Sequence, residues 1–310
     1  VAAIYYYCSW IFAIEIPKIR TPQRQKRFDM ILIADSGSTK TEWVLLDGKT
    51  ILTQISTAGI NPYFLSVEQI SRILDEQLKP GLTIHIQAVT EVHYYGTGCS
   101  SPEKCSLVHQ PLQYIFTNAT VEVEHDLIGA ARAACGNNEG IAVILGTGSN
   151  SCLFDGKEIL ANHPSLGFIL GDEGSGGYIG KELLKQFMYK ELPAELHQAF
   201  DERYALTKEI ILHQIYKEPA PNAYAASFTA FVADHIQTEA MQQLVLDAFD
   251  VFFKRHLSTY PNFTHYPISV VGSIGFIFEQ QLREIASRYH TTIFQLVRKP
   301  IEGLITFHTP

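Results

Sequence analysis

The stretch ILIADSGSTKTEW, residues 31–43, runs three apolar residues and Ala34 into Asp35, continues through small and hydroxylic residues, and leaves through a charged, β-prone segment. A loop of this kind after a buried strand has two readings. It is a hairpin turn in which Gly37 supplies a positive φ, or a cradle whose backbone N–H groups and hydroxyls hold a phosphate. Alone, the stretch favours the turn.

A second copy shifts that balance. Residues 31–52, ILIADSGSTKTEWVLLDGKTIL, spell strand, small-residue turn, strand, Asp-Gly turn, strand. Residues 141–160, IAVILGTGSNSCLFDGKEIL, repeat the order and close on nearly the same words. Asp47-Gly48 and Asp155-Gly156 are hairpin signals, and their 108-residue separation predicts two similar domains. Chance accounts for a shared Asp-Gly-Lys turn more easily than for small-residue loops at matching places. Two such loops facing each other across a cleft would grip a polyphosphate from both sides.

Between the copies, helix and strand alternate. VEQISRILDEQLK (67–79) has helical spacing and is predicted to end before Pro80-Gly81; EVHYYGTG (91–98) is β-prone; residues 102–116 read as a helix. TVEVEHD (120–126) alternates as a strand, and LIGAARAAC (127–135) is a helix of small residues. The class is therefore α/β. After the second hairpin the chain is mainly helical from about 174 to 258, and residues 266–289 read as strand, glycine turn and helix. That turn, Gly272 to Gly275, is a third candidate ligand loop or a plain strand-to-helix connection.

Length and charge set the outer bounds. At 310 residues, two domains are expected. A net charge of −8 argues against a nucleic-acid partner. The five cysteines (8, 99, 105, 135, 152) form no CxxC pair, which suits a reducing cytoplasm better than a disulfide framework. The 12 histidines form no HxxxH or HExxH pattern. Residues 1–29 stand apart. A mainly apolar run of 16 residues, short for a membrane span, precedes a basic segment. Five basic against two acidic residues give this extension +3 and leave −11 for the rest. Met30 opens a clean strand and reads as the natural start, with a membrane anchor flanked by cytoplasmic basic residues as the alternative; no membrane partner is expected.

The assembly resembles the actin/hexokinase/Hsp70-like ATPase superfamily and, within it, the N-acetylglucosamine kinase branch of the BadF/BadG/BcrA/BcrD group. The residues that carry the resemblance are DSGSTKTEW (35–43), STAGINPY (56–63), HDLIGAA (125–131), LGTGSNS (145–151), LGFILGDEGSGGYIG (166–180) and VVGSIGF (270–276). GTGSN followed some twenty residues later by GDEGS is the most specific part. The resemblance implies two duplicated ribonuclease H-like (actin-like ATPase) domains with a cleft between them: 30–138, and 139–310 with a helical insertion.

It further implies ATP and Mg²⁺ as cofactors, an amino sugar as substrate, and a homodimer. Gly37, Ser38, Thr39 and Lys40 would line the first phosphate loop, and Thr147, Gly148 and Ser149 the second. Gly272, Ser273 and Gly275 would lie beside adenine and ribose. Asp35 would hold Mg²⁺ through water, as suits a hard cation and a carboxylate. Asn61, Asn150 and Asp172 match sugar-contacting positions. Where relatives carry a sugar-touching glycine-tryptophan-glycine segment, this chain has Ser165, Leu166 and Gly167 in PSLG (164–167). The resemblance therefore leaves the exact sugar open.

Phosphoryl transfer needs aligned phosphates, a metal to absorb charge and a carboxylate to take the attacking hydroxyl's proton. Asp126, at a strand end before a helix, is either that base or a helix N-cap; alignment with the family's catalytic aspartate favours the base. Asp172 and Glu173 precede a helix near Ser175, so one is expected to cap it while the other meets substrate. Two other readings compete. A dehydratase-activating ATPase would need iron–sulfur cysteines in the second domain, where only Cys152 lies. A non-catalytic sugar sensor would have no use for Asp126.

Overall fold

The computed structural model describes residues 30–37, 40–82 and 85–309. The expectations for residues 1–29, and for Ser38 and Thr39 of the first loop, lie outside the described residues.

The first half builds a mixed sheet from β1 (Met30–Ser36), β2 (Lys40–Asp47), β3 (Thr50–Ala58), β4 (Val89–Gly96) and β5 (Thr120–His125). The second half builds another from β6 (Gly140–Leu145), β7 (Ser149–Phe154), β8 (Ile159–Asn162), β9 (Ile268–Val271) and β10 (Ile293–Val297). The strand orders, β3-β2-β1-β4-β5 and β8-β7-β6-β9-β10, are the same topology twice. In each sheet an antiparallel three-strand meander continues into two parallel strands. The duplication read from the two hairpins is thus a duplication of whole sheets. Both Asp-Gly turns form as expected, with Gly48 and Gly156 at positive φ.

The helices of the first half are α1 (Val67–Ile73), α2 (Lys79–Leu82), α3 (Pro102–Ile115) and α4 (Asp126–Cys135). The second half contributes α5 (Gly167–Leu170), α6 (Gly176–Met188), α7 (Ala194–Tyr204), α8 (Lys208–Tyr216) and α9 (Pro221–Ser227). It continues with α10 (Thr229–Asp234), α11 (Glu239–Phe252), α12 (Ser273–Ile277), α13 (Glu279–Arg288) and α14 (Pro300–His308). One boundary differs from expectation. The helix that begins at Val67 passes Pro80-Gly81 and ends at Leu82, through a π-helical turn, Leu74–Leu78. That turn widens the bonding so that Lys79 N–H reaches Leu74 O, giving the backbone room just before the proline ring.

Three apolar clusters hold these layers. β1 and β6 are central strands and read as nearly unbroken apolar runs because both faces are covered. On β1, Leu32 and Ala34 join a core with Trp43, Tyr94 and the helices α1 and α3. Ile33 points the other way, into a cluster shared by both sheets that includes Leu127 and Ala133 of α4, Phe154 of β7 and Ile301 and Leu304 of α14. The third cluster packs β6 against the helices of the second half, with Phe249, Phe252 and Phe253 fully buried. The small residues of α4 allow the close approach. A Cβ on Gly303 of α14 would meet Ala133 O at 2.3 Å, and one on Gly129 would meet Tyr95 Cβ at 2.7 Å.

The tightest crossing is α6 on α9, where a Cβ on Gly180 would lie 1.8 Å from Ala225 O. A backbone carbonyl cannot move aside as a side chain can. Gly180→Ala is therefore expected to destabilise the fold by about 3 kcal/mol through overpacking, read as a lower urea midpoint at unchanged m-value. A midpoint equal to wild type would show that the two helices separate freely.

Candidate active site

Strand parity brings the first two site residues together. Side chains two apart on a strand share a face, so Asp35 follows Ile33 toward α4, and α4 begins at Asp126. Burial first, then the charges of Asp126 and Glu42, push the Asp35 carboxyl up to about 7. The charges of Asp126 and Glu42 are thus both felt at the end of β1. Glu42 has its own counter-charges, Lys40 and Lys299 Nζ, the latter at 3.3 Å. Lys40 of the first loop is therefore spent on Glu42.

The loop itself is closed by Gly37 N–H donating to Lys40 O at 2.9 Å. The turn joins β1 and β2 as a hairpin, but Gly37 does not supply the positive φ expected of it. Ser36, on the opposite face from Asp35, bonds Thr41 Oγ1 at 2.7 Å and ties the hairpin to Ile60. Beyond Ile60, Asn61 accepts from Tyr63 N–H at 3.0 Å. Its amide lies against Gly98, where a Cβ would sit 2.4 Å from Asn61 Oδ1; positive φ and close approach both require glycine there.

Asp126 is not the helix cap. That role belongs to His125, whose Nδ1 accepts from Leu127 N–H at 3.0 Å. The same Nδ1 lies 2.8 Å from Asp126 Oδ1, with both side chains about a third exposed (32% and 30%). The hydrogen bond to Asp126 pushes the His125 pKa up. Nothing in the histidine spacing marked this residue; its place directly before the aspartate was the available signal. At the first helical position, a negative Asp126 is also favoured by the helix dipole.

The second and third loops meet on α6. Gly146 and Thr147 carbonyls accept from Gly176 and Gly177 N–H at 2.8 and 3.0 Å. Gly272, at φ 126°, lies so close that a Cβ would meet Leu145 O at 2.3 Å. Ser273 and Gly275 follow on α12, Gly275 packed over Val270. Asp172 is the hub. It is buried, sits at φ 56°, and accepts from Ser149 N–H at 3.4 Å and Ser165 Oγ at 3.2 Å. Burial pushes its pKa up. A non-glycine residue held at positive φ beside a ligand loop is strain of the kind that clusters at functional sites. Ser149 Oγ is buried there without a partner among the described residues.

Neither Asp172 nor Glu173 caps α6, contrary to expectation; Ser175 does, accepting from Tyr178 N–H. Glu173 instead bonds Arg255 and, at 3.1 Å, His256 Nε2. Burial alone would raise its pKa, but these bonds together hold it below the usual carboxylate range. Asn150, next to Ser149 on β7, accepts from Asn162 Nδ2 at 3.0 Å. Leu166 is exposed beside Gly167, whose φ is positive, and Lys181 Nζ holds this segment through Phe168 O.

A hard divalent cation fits the Asp35 corner. Burial and the charges of Asp126 and Glu42 make an ionised Asp35 costly, a cost that a cation there would offset, and hard oxygen donors suit Mg²⁺. No group of three metal-binding side chains stands ready-made among the described residues, as fits an ion completed by phosphate and water. Four free cysteines lie among the described residues, and Cys152 is fully buried in β7, so no exposed second-half thiol offers an iron–sulfur ligand there. No described helix is long and apolar enough to cross a membrane.

No model of a known protein family matches the chain. A crystallised candidate N-acetylglucosamine kinase from Porphyromonas gingivalis is 38% identical, with a TM-score of 0.86, covering 90% of this chain and 98% of that one. An N-acetylmuramic acid/N-acetylglucosamine kinase of Clostridium acetobutylicum is 31% identical over 157 residues, 49% of this chain and 51% of that kinase. The match therefore spans about half of that relative's length. The AMPPNP-bound structure of MreB 5 from Spiroplasma citri, at 10% identity and a TM-score of 0.58 over 90% of this chain and 96% of that one, shares the fold alone.

Proposed function

Because the chain belongs to the N-acetylglucosamine kinase-like family of the actin/hexokinase/Hsp70-like ATPase fold, we propose that it transfers the γ-phosphoryl group of ATP to N-acetylglucosamine or a related amino sugar. The observation that carries this reading is the register of β1, β4 and β5, which puts Asp35 and Asp126 at the same end of the sheet beside the first loop. One carboxylate serves the nucleophile while the other serves the phosphates.

Asp126 takes the proton of the attacking sugar hydroxyl as that oxygen bonds to the γ-phosphorus and the bridging oxygen leaves with ADP. Backbone N–H groups and hydroxyls of Gly37–Lys40 and Thr147–Ser149 hold the phosphates, with Ser149 Oγ the buried hydroxyl in search of a partner. Gly272, Ser273 and Gly275 form the nucleoside side. Asp172, fixed by Ser165 and Ser149, receives sugar hydroxyls with Asn61, while Leu166 and Gly167 border the sugar. Asp35 would hold Mg²⁺, which when bound offsets the phosphate charge. Asn150, beside Ser149 on β7, contacts the sugar.

The test is ADP release with an amino-sugar panel of N-acetylglucosamine, glucosamine and N-acetylmuramic acid. At least one sugar is expected to raise ADP release well above the sugar-free rate, and excess EDTA to abolish it. Sugar-independent hydrolysis that no panel member stimulates would refute the kinase. Sugar binding without turnover would support the sensor.

A further inference from the structure

His125 Nδ1 faces two groups that make opposite demands. Leu127 N–H, 3.0 Å away, needs its lone pair. Asp126 Oδ1, 2.8 Å away, needs a proton there if the carboxylate is ionised. One nitrogen meets one demand at a time. With hydrogen on Nε2, the ring caps α4 but presents a lone pair to a negative oxygen at contact distance. With hydrogen on Nδ1, the ring donates a charge-assisted bond, about twice as strong as a neutral one, and gives up the neutral bond from Leu127 N–H. The carboxylate is the stronger claimant.

We propose that His125 is a positioning residue for the base: Nδ1–H holds Oδ1 of Asp126, which turns the other carboxylate oxygen toward the acceptor hydroxyl. The inference rests on the kinase reading for its consequence, though not for its geometry. The charged neighbours that bear on the pair are Asp126 itself and, across from it on β1, Asp35. An untethered carboxylate at a helix start rotates about χ2 and divides its time between orientations; the tether selects one. Near-attack geometry is sensitive to displacements of about 1 Å, which cost up to 10²-fold in rate.

Two measurements test this on the full chain. In ¹⁵N-labelled protein at pH 7.5, two-bond ¹H–¹⁵N correlation should report a protonated Nδ1 for His125, the signal being assigned by its loss in His125→Asn. An unprotonated Nδ1 overturns the proposal, and this readout needs no turnover. Kinetically, His125→Asp and His125→Asn both cap a helix, but only asparagine retains a donor toward Asp126. On the alkaline plateau of kcat, His125→Asp should lose roughly 10- to 100-fold with sugar and ATP KM within about twofold. His125→Asn should recover most of that loss. Equal kcat in the two variants overturns positioning. A chain that phosphorylates no sugar defeats the kinase reading instead, and the tautomer experiment still decides the bond.

Discussion

Asp126→Asn is expected to lower kcat by about 10²–10⁴-fold and to leave the melting temperature within about a degree or two. The first half follows from the role assigned to the carboxylate: asparagine keeps the shape and accepts a hydrogen bond, but cannot take the hydroxyl proton. The second half follows from the cap. Asp126 is the first residue of α4 and His125 its N-cap position, so no capping bond of the helix depends on the Asp126 side chain. Losing the charge at the first helical position forfeits about 0.3–1 kcal/mol of dipole interaction. Relief of the like charge beside Asp35 offsets part of it. ATP affinity should change little, because the loops hold the nucleotide. A near-normal kcat would remove Asp126 from the mechanism. A large fall in melting temperature would show that its role is structural.

Asp35→Asn should act strongly on stability and activity in opposite directions. The Asp35 carboxyl is pushed from 3.8 up to about 7, so the folded chain holds that proton more tightly than the unfolded chain. Its contribution to stability is complete below about pH 4 and is lost as the pH rises through about 7. Asparagine does not ionise. The melting-temperature difference, mutant minus wild type, should therefore grow between pH 4 and 7 and level off above. A carboxyl moved this far corresponds to on the order of 4 kcal/mol before screening by solvent at the loop, so a gain of several degrees is expected at pH 8. The same mutant should lose sugar-dependent ADP release and the thermal protection that Mg²⁺ with ATP gives the wild type. A difference flat from pH 4 to 8 would dissolve the carboxylate cluster. Undiminished Mg²⁺-dependent turnover would free Asp35 from its metal role.

The parts of this fold legible in the sequence are those written in short-range chemistry. Asp-Gly turns between apolar runs marked both hairpins, and alternation marked β5 up to His125. What escaped depends on partners far along the chain or on one atom's orientation. Glu173 is held by Arg255 and His256, some 80 residues later, so spacing alone could not tell it from a helix cap. The choice of His125 as the cap of α4 turns on where one ring nitrogen points. Pro80-Gly81 signalled a stop, yet a π-helical turn carried the helix past it. For the site, the motifs marked the loops, while the bond from Ser149 N–H to Asp172, 23 residues later, was not legible in spacing.

The placement of α14 bears on how a growing chain acquires this shape. Residues 300–308 pack over α4 and against β1, with Ile301 and Leu304 in the same cluster as Ile33, Val44 and Leu46. When the first sheet has emerged from a ribosome, α4 can shelter only part of that apolar face. The remainder waits for the final helix, after the entire second sheet has been made. Contacts between such distant segments form slowly because loop closure precedes their reward. The first half therefore passes through synthesis with an uncovered flank that chaperones or neighbouring nascent chains can engage. The two halves, alike as they are, complete their folding as one event.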